Sequence, residues 1–159
     1  MKTFQSISDK DKKLKHKKQS FQQLQEIFFW NQKRGNLPNQ IDIKLEHYML
    51  LKELYEGMGI PNPKAEAKAF MASLLERDDL IPVSETELLD SIIDLQFISH
   101  GTLYKMNLSP EQSIDAMQAV IDSNNSKGSS KDASGKIIKD LSSFIPPEPK
   151  LQQILDQRT

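Results

Sequence analysis

The stretch "ETELLDSIIDLQFISHG", Glu85 to Gly101, decides how the rest of the chain is read. Leu88, Leu89, Ile92, Ile93, Leu95, Phe97 and Ile98, with Leu103 just beyond, surround a helical axis on nearly every side. A helix that is apolar all round belongs in a core, so most of it is expected to be buried. Glu87, Asp90 and Asp94 interrupt that pattern at the three- and four-residue spacing that stacks side chains on one face. Stacked carboxylates repel, and burying them is costly unless something compensates them. The column is therefore either a narrow solvent stripe, with Lys105 answering one charge, or an inward-facing cation site. Gly101 continues the same face and is expected to leave space beside the acids. Ser84 followed by Glu87 is a capping-box pattern that opens this helix.

Further helices flank this one. From Phe21 a helical pattern carries Leu24, Ile27, Phe28 and Trp30, and Gly35 and Pro38 end it. Phe28, Phe29 and Trp30 are expected in the core rather than against a ligand. Asp42 caps "IKLEHYMLLKELYEGMG", which places His47, Leu50, Leu51, Leu54, Tyr55 and Met58 on one side and Glu53 and Glu56 on roughly the other. His47 reads as a packing or interhelical hydrogen-bonding residue, and His100 lies closer to the acid column. "KAEAKAFMASLLERDD" is a third amphipathic helix, with Ala65, Ala69, Ala72 and Leu75 at helical spacing. Ser109 and Pro110 open a fifth, "LSPEQSIDAMQAVIDSNN". No β-alternation and no internal repeat appears, so the chain is expected to be all-α. Residues 1–19 form a flexible basic leader, 20–127 one helical domain, and 128–159 a loop-rich tail with one last short helical turn, packing on the domain or on a partner subunit.

Composition excludes several function classes. The 159 residues hold no cysteine, which removes disulfides, zinc-thiolate sites and thiol catalysis. A formal net charge of -1 argues against a nucleic-acid or membrane-surface protein. The lysines between Lys10 and Lys18 have no aromatic residue among them to stack on bases. No secretory signal and no membrane-spanning segment is present, so a cytoplasmic protein is expected. Carboxylates with few histidines suit a hard ion, Mg²⁺ or Mn²⁺, rather than zinc. Facing helices build such sites in bundles.

"LLKELYE", from Leu50, resembles the first acidic motif of the all-α nucleoside triphosphate pyrophosphohydrolases, the superfamily of MazG and phosphoribosyl-ATP pyrophosphohydrolase. "ELLDSIIDLQFISHGTLYKMNL", from Glu87, resembles the second. "SNNSKGSSKDASGKIIKD" followed by "FIPPEPKLQQIL" is similar to the tail of the phosphoribosyl-ATP-type branch. The resemblance spans about Phe21 to Leu155. It implies a four-helix core with an extra helix in the 57–84 segment, assembled as a homodimer or a dimer of dimers. It implies Mg²⁺, with Mn²⁺ as substitute, and cleavage of a nucleoside triphosphate between the α- and β-phosphates. Glu53 and Glu56 match the acid pair of the first motif, and Asp94 matches the aspartate ahead of the glycine run. Two positions depart from the pattern: Lys52 stands where an adjacent glutamate is frequent, and Ser91 where a ligating glutamate is common. Asp90 or Glu87 would then supply that ligand. Glu53 is assigned to the water-orienting acid as well. Asn124, Ser126 and Lys127 match an Asn-x-Ser-Lys stretch that would meet the nucleotide phosphates or sugar.

Overall fold

The computed structural model describes residues 9–36, 41–128, 130 and 137–158. Among them the chain is all-α, with six helices and no strand: α1 (Asp9–Lys33), α2 (Ile43–Gly57), α3 (Pro63–Leu75), α4 (Glu85–Lys105), α5 (Pro110–Ser126) and α6 (Glu148–Asp156). None of these helices is long and apolar enough to cross a membrane. The chain divides into two compact units, one of residues 37–91 and one of 1–36 with 92–159, so the division falls within α4.

Local chemistry sets most helix ends. The Asp42 side chain accepts from Leu45 N at 3.1 Å and caps α2. At its other end Gly59 adopts φ +71°, and Ile60 N and Gly59 N donate to Tyr55 O and Glu56 O at 3.0 and 3.1 Å. That is a Schellman closure, in which the left-handed residue is glycine because no Cβ opposes it. Ser109 and Gln112 form a reciprocal capping box at α5, with Pro110 at its start. Ser84 and Glu87 do the same for α4. Helix α1 begins at Asp9, well before the Phe21 start expected from periodicity. A lysine-rich segment remains a good helix former when it continues an existing helix. Pro38 and the Gly135–Lys136 turn lie outside the described residues.

In the larger unit α1 packs on α5, and α5 packs on α6. Ala119 and Ile121 of α5, Ile154 of α6 and Leu108 are buried. Gln23 of α1, also buried, donates to Ile114 O at 2.8 Å and to Gln118 Oε1 at 3.2 Å, so its amide is satisfied by α5. Nearer the start of α1, His16 Nε2 lies 3.4 Å from Glu111 Oε1. The tail closes on this unit: Gln112 Nε2 donates to Gln157 O at 3.1 Å, and Arg158 Nη1 to Met106 O at 3.1 Å. Its helix is nine residues long, more than the single turn expected.

In the smaller unit α2 packs on α3. The covered side of α2 carries Tyr48, Leu51, Lys52 and Tyr55, while Leu50, Leu54 and Met58 are exposed, as is His47. Leu51 and Tyr55 are thus covered as expected, the other four members of the expected face are exposed, and Lys52, which was not among them, is the buried residue. Helix α3 is rotated from its expected face: Ala67 is fully buried, with Met71 and Leu74 half-buried on its side, and the expected Ala65, Ala69, Ala72 and Leu75 are exposed. An alanine-rich helix offers two stripes at the same period, and packing selects the one with bulkier side chains.

The expectation for α4 is overturned. No residue of this helix is buried, and Leu89, Ile93, Phe97 and Ile98 are each more than half exposed. Among the described residues no helix packs broadly against it. Phe28 and Phe29 are likewise exposed rather than core.

Candidate functional site

The best-defined charged cluster lies on α2. The Lys52 ammonium sits 2.6 Å from Glu53 Oε1 and 2.8 Å from Glu56 Oε1. The Lys52 side chain is 9% exposed, against 65% for Glu53 and 44% for Glu56, so a buried cation is held by two carboxylates open to solvent. Burial alone would push the ammonium pKa down; hydrogen bonds and charge from Glu53 and Glu56 override it, and the net shift is upward. Both acids fall near the C-terminus of α2, where helix carbonyls disfavour negative charge, and Lys52 offsets that too. The i,i+4 spacing of Lys52 and Glu56 was a readable signal for this pair.

The acids of α4 are placed differently. Glu87 Oε2 accepts from Ser84 N at 2.9 Å and from Ser84 Oγ at 2.7 Å. These two bonds, the backbone one first, hold the Glu87 carboxyl below the usual glutamate range. Its first task is thus to cap α4. Asp90 and Asp94 are exposed. A Cβ added at Gly101 would meet nothing within 4 Å, so this glycine is not required to open space beside the acids. His100 Nδ1 lies 2.7 Å from Gln96 O, within its own helix. Among the described residues no ion pair joins Lys105 to the column, and no group of three or more Asp, Glu or His side chains gathers around one point that could hold a metal. Of the expected metal ligands, Glu53 and Glu56 are brought together.

The Asn-x-Ser-Lys stretch closes α5 in the larger unit. Asn124 O accepts from Trp30 Nε1 at 3.0 Å and from Arg34 Nη2 at 3.4 Å, and Arg34 Nη2 also donates to Lys127 O at 3.3 Å. These donors satisfy carbonyls left open at the end of a helix. The Arg34 guanidinium lies 4.0 Å over the Trp30 ring, and burial pushes its pKa down. Lys127 Nζ donates to Asn124 Oδ1. Ser126 Oγ donates to Ser123 O at 2.7 Å and accepts from Ile145 N at 2.8 Å, which ties the tail to α5. Beside this stretch opens a cleft of about 600 Å³, lined by Phe29, Trp30, Lys33, Arg34, Asn125 and Lys127 together with Glu26. Its size suits a small ligand, and its floor mixes aromatic and cationic groups. Periodicity alone missed the Trp30–Arg34 tether, although the four-residue spacing carried it.

No family model, curated protein or solved structure matches the chain. The chemistry of the donors therefore stands by itself. In the α2 pair the donor atoms are oxygens alone, and the positive centre on which both carboxylates converge is the Lys52 ammonium.

Proposed function

We propose that the protein is a Mg²⁺-dependent nucleoside triphosphate pyrophosphohydrolase, which cleaves a (d)NTP between the α- and β-phosphates to give (d)NMP and pyrophosphate. The observation that carries this reading is the α2 pair: the two acids that match the first motif lie three residues apart and are exposed to solvent. Glu53 and Glu56 would hold the metal, and the resemblance implies Asp94 as a further ligand. Asp90 is the better fourth ligand, because a Glu87 oxygen is already engaged by Ser84. When bound, Mg²⁺, or Mn²⁺ in its place, supplies positive charge for the phosphates and polarises water. Glu53 orients a water molecule and takes its proton as the water oxygen attacks the α-phosphorus. The bond from that phosphorus to the bridging oxygen breaks, and pyrophosphate leaves with the electron pair. Lys127 and Asn124 bind the phosphates or sugar, and Ser126 positions that stretch through its bonds to Ser123 and Ile145. The exposed apolar side chains of α4 support a homodimer, or a dimer of dimers. The test is pyrophosphate release from a panel of dUTP, dCTP and the standard triphosphates with Mg²⁺, with turnover lost in Asp94→Asn.

One observation favours a second reading. Lys52 already neutralises Glu53 and Glu56, as expected of a catalytically lapsed relative that keeps the fold to bind a nucleotide or a protein partner. Titration with Mg²⁺ or Mn²⁺ separates the two, since the lapsed module binds neither.

A further inference from the structure

We infer that the cleft between the ends of α1 and α5 binds a mononucleotide without a metal, its ring against Phe29 and its phosphate against Lys33, Arg34 and Lys127. The inference deepens, and in its choice of ligand rests on, the nucleotide reading above, but it needs none of the acids of α2 or α4. Every wall of the cleft belongs to the larger unit. Glu26, then Phe29 and Trp30, then Lys33 and Arg34 follow one another at intervals of three and four residues. That spacing sets an acid, two rings and two cations on successive turns of one face of α1 and its end. A mononucleotide presents complementary groups in the same order: donors on the ring, the ring itself, and a phosphate.

The charges in the cleft favour an anion. Arg34 donates from Nη1 to Trp30 O at 3.3 Å and from Nη2 to Asn124 O and Lys127 O, all of them neutral carbonyls. Its Nε is buried with no partner among the described residues. The guanidinium is therefore fixed over Trp30 while no described carboxylate answers its charge. A cation held in place before the ligand arrives costs little ordering on binding. Lys33 likewise enters no ion pair among the described residues, and Lys127 brings a third cation from α5. Among the lining residues Glu26 is the one acid, and it lies two turns from Lys33 and accepts from Gln118 Nε2 at 3.4 Å. Three cations against one distant acid suit a phosphate dianion better than a single carboxylate. Cations at helix ends also answer open carbonyls, as Arg34 does here. That role does not account for Lys33, nor for the Phe29 ring, 57% exposed on the same wall.

Trp30 is the sole tryptophan, so its indole N–H resonance and its fluorescence report on this cleft alone. The test titrates the full-length protein with AMP and with UMP in EDTA. A saturable shift of the indole resonance is expected, with an affinity that falls as salt rises. Lys33→Gln and Phe29→Ala, both at exposed positions, are each expected to weaken binding at least ~5-fold, whereas Lys105→Gln, which removes the same charge elsewhere, stays within ~2-fold of wild type. Adenosine, uridine and ribose 5-phosphate each carry only part of the recognised group and should bind at least ~10-fold more weakly. No shift with either mononucleotide overturns the inference, and so does ribose 5-phosphate binding as tightly as AMP or Lys33→Gln binding as tightly as wild type. Binding in EDTA with no turnover in Mg²⁺ upholds the cleft and removes the hydrolase reading. Turnover in Mg²⁺ with no change at Trp30 does the reverse.

Discussion

The Lys52 cluster predicts an asymmetry in stability that can be measured without metal or substrate. In the Glu53→Gln/Glu56→Gln variant the Lys52 ammonium, 9% exposed, loses both carboxylates that hold it. Removing the partner of a fully buried charge costs about 3–5 kcal/mol, but these acids are 65% and 44% exposed, so solvent and amide oxygens recover part of that loss. A destabilisation of about 2 kcal/mol is expected. Lys52→Met behaves differently, because it removes the buried charge and its desolvation penalty together and keeps the packing of the stem. It leaves two carboxylates three residues apart, whose repulsion costs only about 0.2–0.5 kcal/mol. Its stability should stay within about 1 kcal/mol of wild type. Adding Lys52→Met to the double glutamine variant should restore most of the loss. The assay is urea denaturation followed by circular dichroism in the presence of EDTA, with a slope of about 2 kcal/mol/M placing the double variant about 1 M below wild type. A double variant whose midpoint moves by less than about 0.3 M, well inside that expected shift, would refute the claim that the acids hold a buried charge.

Other outcomes follow from the packing. Ile154→Ala empties a site that is 4% exposed between α6 and the rest of the larger unit, and should cost about 2–4 kcal/mol by denaturation, with amide exchange rising first across α6. Ser109→Ala removes the N-cap of α5 and should cost about 1 kcal/mol, while Ser109→Asp should keep most of it. Asp140 accepts from Ser142 Oγ and Ser142 N, which holds its carboxyl below the usual aspartate range. A depressed pKa contributes stability above the usual aspartate value, and that contribution is lost as pH falls through the lowered one. Amide exchange at Ser142 and Phe144, compared with Asp140→Asn, should therefore show protection that fades only at strongly acidic pH.

Helix existence was legible wherever chemistry fixes an end. Asp42, Ser84 with Glu87, and Ser109 with Pro110 act within a few residues of themselves, so nothing distant can override them. The side of a helix that packs was much less legible. Leu50, Leu54 and Met58 looked like the core of α2, yet the covered face runs through Tyr48, Leu51 and Lys52, because a 3.6-residue period admits neighbouring stripes and only the partner helix chooses. For α4 the pattern was apolar on every side, and among the described residues none of its side chains is buried. At the site, the proximity of Glu53 to Glu56 was visible from spacing alone. Lys52 was visible only as a departure from a motif, since a lysine reads as solvent-facing until its packing is known. Asn124, Ser126 and Lys127 were singled out by resemblance, and their bonds to Trp30, Arg34 and Ile145 join segments about a hundred or about twenty residues apart, which no local pattern reports.

The proposed reaction is hydrolysis of a nucleoside triphosphate at the α-phosphate. Phosphorus NMR of the full-length protein with Mg²⁺ and each member of the dUTP, dCTP and standard triphosphate panel tests it directly. The expected result is a nucleoside monophosphate and pyrophosphate in equal amounts from at least one substrate, abolished by EDTA and by Asp94→Asn. Nucleoside diphosphate with inorganic phosphate as the products, or no product from any triphosphate, would contradict it.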